Sequence, residues 1–540
     1  MKELEVEVLV VGGGPVGLCA AIELSRLGIS ALLVERHSGT SIFPKARLVT
    51  TRTMELFRAW GIQEEVESAG MPREEYLAVG VGSSLSAPDF VRSAAELDRD
   101  APQSPTYTFL CAQDVLEVIL RRLAASRADV RYGTEMTSMR PGPDGVTAVV
   151  SGQDGETLVR CRYLVAADGS RSGVRDCLGI AWEGPPTLGH MISIMFEADL
   201  GFLPADRRAA LSFLTDPPCA VEAVDHRRRW MVQTGYEPDQ GGSPDDFTEE
   251  VCLRAVRDAV GVPDLPVRLL GVMPWLQQAM LAAAFRAGPV FLAGDAAHVA
   301  TPQGGFGMNC GIQDAHNLAW KLAAVLRWGA GEALLDTYEA ERRPIAGRTV
   351  DESLANALIT WQMMEGRLPM AEAIQRQADR RSSEGLVLGF HYDSAAVVPD
   401  GTAPPAVADP YRTYVPAARP GHRAPHVWLS ADGGPVSTLD VLVPGFTLLS
   451  PAGSGWANAA TATPASAAVV AGVPLTAVEI ADGDTAGALS SPTWAKEYGL
   501  GPKGAVLVRP DGHVAWRVAD AAPSPDALAA ALDTVLARHP

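Results

Sequence analysis

At 540 residues the chain exceeds what one hydrophobic core usually organises, so two or three domains are expected. Its 47% hydrophobic and 20% charged content suits a globular protein rather than a disordered one. A formal charge of −19 argues against a nucleic-acid partner, which would require a basic face, and reads as a contribution to solubility.

The amino terminus, MKELEVEVLVV, enters a strand at once, with neither a basic leader nor a cleavage signature. The longest apolar stretches are broken by glycines or by residues such as Glu23 and fall short of ~20 residues, so no membrane span is expected. The cysteines (Cys19, Cys111, Cys161, Cys177, Cys219, Cys252, Cys310) are scattered and odd in number, which suits free thiols in the cytoplasm.

Residues 5–11, EVEVLVV, have the composition of a buried parallel strand. The turn after them carries Gly12, Gly14 and Gly17 in G-x-G-x-x-G order, with Pro15 and Val16 opening a helix between the last two. Gly12 permits a tight turn, Gly14 lets backbone approach a pyrophosphate, and Gly17 lets the helix pack on the sheet. That helix would aim unpaired N–H groups and its positive end at phosphates. A second strand, ALLV, ends at Glu35, an acid placed to hold both hydroxyls of an adenosine ribose and so to favour FAD or NAD over a 2′-phosphorylated nucleotide. Arg36 belongs to the candidate cofactor set, although as a loop residue it can equally be solvated.

Further along, residues 145–165 alternate apolar and polar positions around Asp154-Gly155, predicting a hairpin. Between 180 and 285 the pattern is strand-rich, with MISIMFEADL, CAVEAVDH and RRRWMVQTGY as candidate strands. Residues 290–313, VFLAGDAAHVATPQGGFGMNCGIQ, predict a strand, an aspartate, and a glycine-rich approach to a helix beginning near Met308. Long helices are predicted over 312–328 and 332–366. A stretch rich in proline, alanine and glycine (387–424) precedes a tail that alternates strands (GFTLLSP, LTAVEI, AVLVRPDGHVAWRV) with a final helix. No cysteine follows Cys310, so disulfide exchange by the tail is excluded.

These segments together resemble the class A flavoprotein aromatic hydroxylases over roughly the first 400 residues. The resemblance rests on the glycine fingerprint, on LVAADGSRSGVR (164–175) and on GDAAH (294–298) with TPQGGFGMN (301–309). It implies an α/β fold with a Rossmann-like FAD-binding domain of the GR2 type, formed by residues 1–180 and 286–395. A β-rich substrate domain would occupy 181–285 and a thioredoxin-like domain 396–540. It also implies that Asp168, Gly169 and Arg175 lie by the flavin and the nicotinamide path. Asp295 would bond the ribityl chain. Pro302, Gly305, Gly307, Met308 and Asn309 would pass the isoalloxazine edge, the helix end there stabilising negative charge on the reduced ring. Gln113 resembles a glutamine that contacts FAD. In PKARLVTTRTME (44–55) the family's usual arginine is Lys45, which lacks a planar guanidinium, while Arg52 keeps its place and Arg47 could substitute.

The activity implied is hydroxylation of a polycyclic aromatic, polyketide-type intermediate by way of a flavin C4a-hydroperoxide, with NAD(P)H and O₂ consumed. NADPH is the usual donor among such enzymes. Rival readings are a simple-phenol hydroxylase, Baeyer–Villiger or decarboxylative oxidation, and a non-enzymatic nucleotide-binding protein. A catalytic base is sought among Tyr236, His226 and Asp225, each of which can equally be an ordinary strand or turn residue. Arg227, Arg228 and Arg229 could meet an acidic substrate. Partners are small molecules, and a homodimer is compatible with the family.

Overall fold

The computed structural model describes residues 2–72, 78–94, 102–204, 207–225, 228–380, 382–461, 472–483 and 487–538. His226 and Arg227 lie outside them.

The first sheet has a core of parallel strands. In spatial order these are Val290–Leu292, Gly155–Ala166, Lys2–Val11, Ala31–Glu35 and Asp129–Tyr132, with the short Arg286–Ala287 antiparallel at the edge. Val8, Leu9 and Val10 have no exposure, as expected of a strand covered on both faces. The helix Pro15–Arg26 crosses between the first two strands of the chain and packs against Gly307–Arg327. The predicted hairpin is present, with Gly145–Gly152 antiparallel to Gly155–Ala166, and Glu135–Gly142 extends it by one strand. The predicted long helices run over Gly307–Arg327 and Asp336–Met364.

The second sheet has seven strands in the order Arg268–Gln277, Gly189–Glu197, Arg229–Tyr236, Pro218–Ala223, Leu211–Thr215, Ala78–Gly82 and Val91–Ala94. The last two come from a part of the chain assigned by sequence to the flavin half, so the substrate sheet draws on more than residues 181–285. One face of the sheet is covered by the helix Glu249–Val260, where Ile192, Ile194, Phe196, Val221 and Val232 meet Cys252, Val256 and Val260. On the other face Val81, Phe213, Leu211 and Ala220 pack against Met363, Leu368 and Ala373 of the helical extension.

The carboxy-terminal sheet is ordered Leu475–Ile480, Phe446–Pro451, Ala505–Val508 and Val514–Val518, the first pair parallel and the others antiparallel, as in thioredoxin-like folds. It shares one continuous core with the flavin half: Trp320 is fully buried, its ring 5.9 Å from Phe446. All seven cysteines are free thiols, and only Cys177 is exposed.

Ionic contacts reinforce this seam. Arg509 grips Glu341 through both amino groups (2.7 and 2.8 Å) and also holds Asp511. Lys321 and Asn317 each donate to Glu341 at 2.7 Å. Arg423 forms a two-pronged pair with Glu55, and Arg52 donates to the Asp511 carbonyl at 2.6 Å. Arg52 therefore ties the flavin half to the tail.

Candidate active site

The glycine turn sits where its motif predicts. Gly12 has φ of 110°, and a side chain there would collide with the Ala167 carbonyl, so this turn and the Asp168 loop touch. In front of Gly14 lies open space, since a Cβ would meet nothing within 4 Å. Val16 packs under Gly294 and Gly311, where a Cβ would stand 2.8 and 2.6 Å from its methyl group. The first and third motifs, nearly three hundred residues apart, are thus brought together.

Two helices begin at this junction. Pro15–Arg26 and Gly307–Arg327 both start without a side-chain cap and without an acid in the first turn. Their leading N–H groups are left for an acceptor that the side chains do not supply. Glu35 stands beside the first helix and accepts from the N–H groups of Gly13 (2.7 Å) and His37 (2.8 Å). Burial works to raise its pKa, but these donors prevail and hold it below the usual range.

The opposite wall is acidic and incompletely paired. Asp295, in the turn Gly294–Ala296, exposes its side chain, yet burial pushes its pKa up, against the pull of His298 and Lys45. Contact with solvent and dense protein around it are at odds on a convex surface but agree in a cleft, which is where we place it. Lys45 is exposed and forms no ion pair among the described residues, but its charge reaches both Asp295 and Glu117. Asp168 accepts from the Val174 N–H at 3.2 Å, while its Oδ1 is buried without a partner. Burial raises its pKa too.

Other expected ligands turn out to be braced within the protein. Gln113 is buried and donates to Glu117 at 2.6 Å, and Glu117 in turn accepts from the Ser41 N–H at 2.7 Å. Asn309 donates to the carbonyls of Leu48 and Gly305 and accepts from Thr50, which fixes the glycine loop. Arg175 is committed to the Ser170 carbonyl, to Asp176 and to the face of Trp182. Arg36 is exposed on its loop. Gly169 and Gly305 have φ of 83° and 65°; at Gly305 a Cβ would stand 2.7 Å from Leu48. Pro302 is exposed, while Gly307 and Met308 are half-buried at the helix start.

Arg47 does not take the role left by Lys45. Its side chain turns to the second sheet, pairing with Glu222 at 2.9 Å and donating to the carbonyls of Ala210 and Ala223. Sequence reading also missed the support beneath the Asp295 turn. Asp314 accepts from the Gly294 N–H (3.1 Å), His298 (2.7 Å) and Arg342 (2.8 Å), all buried. Its place two turns into the helix after the glycine loop was the available signal. His298, Cys310 and Asp314 lie close enough to suggest a metal site, but both oxygens of Asp314 are already engaged.

Strand parity decides the substrate side. Met191, Ser193 and Met195 point away from the covering helix, as do their cross-strand partners Met231, Gln233, Met273 and Trp275. The flavin half meets this face along its length: Arg47 reaches Glu222, Ala112 and Val115 pack on Met231, the Phe43 ring lies over Gly271, and Gln303 of the glycine loop accepts from Gln277 at 3.0 Å. Between the Glu222–Met231–Met195 row and the Gln277–Gly189 row the strand advances about 20 Å, at ~3.3 Å per residue.

The three proposed bases fare differently. Tyr236 pairs with His190 on the helix-covered face, its ring near Phe247, and so faces away from the cleft. Asp225 closes a hairpin, accepting from the N–H groups of Arg228 and Arg229 and pairing with the Arg229 side chain. Neither position reaches the cleft, because parity and turn geometry commit both elsewhere. His226 lies outside the described residues. Arg229 is taken by Asp114 and Asp225, and Arg228 is exposed.

The open glycine turn, two uncapped helix ends, the ribose-type acid and the orphaned Asp168 oxygen fit a dinucleotide cofactor, and comparison with known proteins identifies it as FAD. Residues 5–353 match the family described as FAD binding domain, and residues 417–539 match the aromatic-ring hydroxylase C-terminal family. The chain is 40% identical to the tetracenomycin B2 monooxygenase-dioxygenase of Streptomyces olivaceus, over 100% of this chain and 99% of that one. It is also 40% identical to a 4-methyl-5-nitrocatechol 5-monooxygenase of a Burkholderia species, over 99% and 98%. A solved ternary complex of aklavinone-11 hydroxylase with FAD and aklavinone superposes with a TM-score of 0.86 at 36% identity, covering 100% of both chains. No helix among the described residues is long and apolar enough to cross a membrane. The chain belongs to the FAD-dependent aromatic-ring hydroxylases and is a flavoprotein monooxygenase.

Proposed function

We propose that this chain hydroxylates a fused polycyclic phenol, of the kind made by polyketide-type chemistry, with NADPH as donor and O₂ as co-substrate, in the cytoplasm. The observation that carries the reading is the sheet face turned to the flavin half, which extends about 20 Å along the strands from the Met195 row to the Gly189 row, longer than a single phenol ring. It presents the polarisable and flat side chains of Met191, Met273 and Trp275, with Gln233 and Ser193 as polar points; such surfaces suit extended aromatic systems. Similarity to the tetracenomycin and aklavinone enzymes supports the same class, and a homodimer is consistent with it.

FAD held here would supply a hydride acceptor for the nicotinamide and activation of O₂, one oxygen atom going to the ring and the other to water. The protein supplies position and field. In this reading Gly12, Gly14, Pro15, Val16 and Gly17 receive the pyrophosphate, Glu35 the adenosine ribose, and Asp295 the ribityl hydroxyls. Lys45 offsets phosphate charge. The start of Gly307–Arg327, shaped by Pro302, Gly305, Met308 and Asn309, would face the flavin and favour negative charge on it. Arg175 and Gln113 hold their loops in shape through the contacts described above.

The similarity to the nitrocatechol enzyme supports the rival reading, a one-ring phenol. NADPH oxidation by the yellow protein, measured with hydroxyanthraquinones on one side and phenol and catechols on the other, separates the two. Stimulation by the polycycles with a product heavier by one oxygen is expected. Stimulation by the one-ring phenols alone would overturn the proposal.

A further inference from the structure

The glycine turn is held by a residue that no motif names. Tyr132 ends the strand Asp129–Tyr132 and is the direct cross-strand neighbour of Glu35. Its hydroxyl donates to the Gly13 carbonyl at 2.8 Å, a link between residues 119 apart in the chain. Burial, with the nearby charge of Glu117, pushes its pKa up, so the hydroxyl keeps the proton it donates. The Arg121 guanidinium stands over the tyrosine ring, 3.9 Å from its centre, and steadies it. Gly13 fits between its two neighbours only without a side chain, since a Cβ would lie 2.7 Å from Glu35 and 3.1 Å from Tyr132.

Peptide geometry carries this contact to the cofactor side. The peptide between Gly13 and Gly14 is trans, so the Gly13 carbonyl and the Gly14 N–H leave one plane in opposite directions. A hydroxyl that anchors the carbonyl therefore aims the N–H away from Tyr132. That N–H donates to no acceptor among the described residues, and a Cβ on Gly14 would meet nothing within 4 Å. The preceding peptide is set separately, its Gly13 N–H donating to Glu35. We propose that Tyr132 is a positioning residue for FAD, whose hydroxyl turns the Gly14 N–H toward the cofactor's pyrophosphate. This rests on the glycine turn receiving that group, as proposed above. A donor held in place before the ligand arrives loses little entropy on binding it. Glu35 and Tyr132, side by side on neighbouring strands, thus serve the ribose and the phosphates in turn.

The test uses full-length apoprotein with FAD, ADP and riboflavin. FAD and riboflavin are titrated by flavin fluorescence, and ADP by its displacement of FAD. Tyr132→Phe keeps the ring and its contact with Arg121 and removes only the hydroxyl. It is expected to bind FAD and ADP roughly tenfold more weakly than wild type, the loss of one hydrogen bond. Riboflavin, which has no pyrophosphate, should bind as it does to wild type. With FAD saturating, kcat should stay within about twofold. A merely structural tyrosine would lower the urea midpoint without setting one ligand apart from another. Unchanged FAD affinity, or an equal loss for riboflavin, overturns the inference. Gly14→Val checks the reading beneath it: the backbone there, at φ −75° and ψ −177°, suits any residue, and the added methyls would fill the space before the turn. FAD bound as tightly by Gly14→Val as by wild type would remove the pyrophosphate reading itself. Weak binding by Gly14→Val with normal binding by Tyr132→Phe would remove only the role of Tyr132.

Discussion

Two charged regions of this molecule are built on opposite rules. At the seam with the carboxy-terminal domain, Glu341, Lys321, Arg509 and Asp511 are fully buried, and each carboxylate oxygen meets a donor. Along the flavin groove, Asp295 and Lys45 lack ion-pair partners within 4 Å among the described residues, and one oxygen of Asp168 is orphaned. The seam supplies its carboxylates with protein cations and donors and the groove does not, so the charges of the seam read as structure and those of the groove as a binding site.

The sharpest way to break that contrast is at the seam. Arg509→Met would strand Asp511 without its arginine and leave Glu341 with the Lys321 cation alone, at a cost of about 3–5 kcal/mol. A large fall in the urea midpoint is expected, and a midpoint within error of wild type would show the network to be dispensable.

Acid should act on the same region. Burial, with help from His391, depresses the pKa of His422 to about 3, and burial with nearby Arg423 depresses that of His426 to about 4. The unfolded chain takes up these protons near pH 6.5, whereas the folded chain does not until far lower. Stability is therefore fully present above about pH 6.5 and declines as pH falls toward about 4, by up to ~1.4 kcal/mol per pH unit for each histidine. Urea melts at about pH 7.5 and pH 5 would reveal it, and equal midpoints would contradict the assignment.

Effects in the groove should be smaller and felt by the ligand. Lys45→Met is expected to weaken FAD binding by about tenfold at low salt and less at high salt, since the ammonium is exposed. Fluorescence titration of apoprotein at two ionic strengths reads this directly, and a salt-independent loss would point to misfolding instead. Smallest of all, Tyr236→Phe should leave turnover within about twofold, because its ring lies on the helix-covered face. A hundredfold loss would place the tyrosine back in the mechanism.

How far the sequence carried each region follows from chain distance. The flavin motifs are short and contiguous, so Gly12, Glu35 and Asp295 stand out as candidates by spacing and resemblance. The tail strands stood out as apolar runs between turns. The substrate sheet was half legible. Gly189–Glu197 and Arg229–Tyr236 have strand composition, but AVGVG at 78–82 is mostly small residues, and Arg268–Gln277 contains Pro274 at an edge. Which face a strand residue serves depends on where the helix Glu249–Val260 lands, and so Tyr236 was attractive by type and misplaced by parity. The seam was illegible: Glu341 finds Arg509 across 168 residues and Glu55 finds Arg423 across 368, with no local pattern to join them.

The most direct test of the contrast is Asp295→Asn, which removes charge while keeping shape. FAD would be titrated into wild-type and variant apoprotein by flavin fluorescence, alongside urea melts of the two. The account predicts FAD binding roughly 10- to 100-fold weaker in the variant, with an apoprotein midpoint equal to or above that of wild type. Unchanged FAD affinity, or a loss matched by an equally large fall in apoprotein stability, would show that Asp295 is part of the framework and would contradict the account.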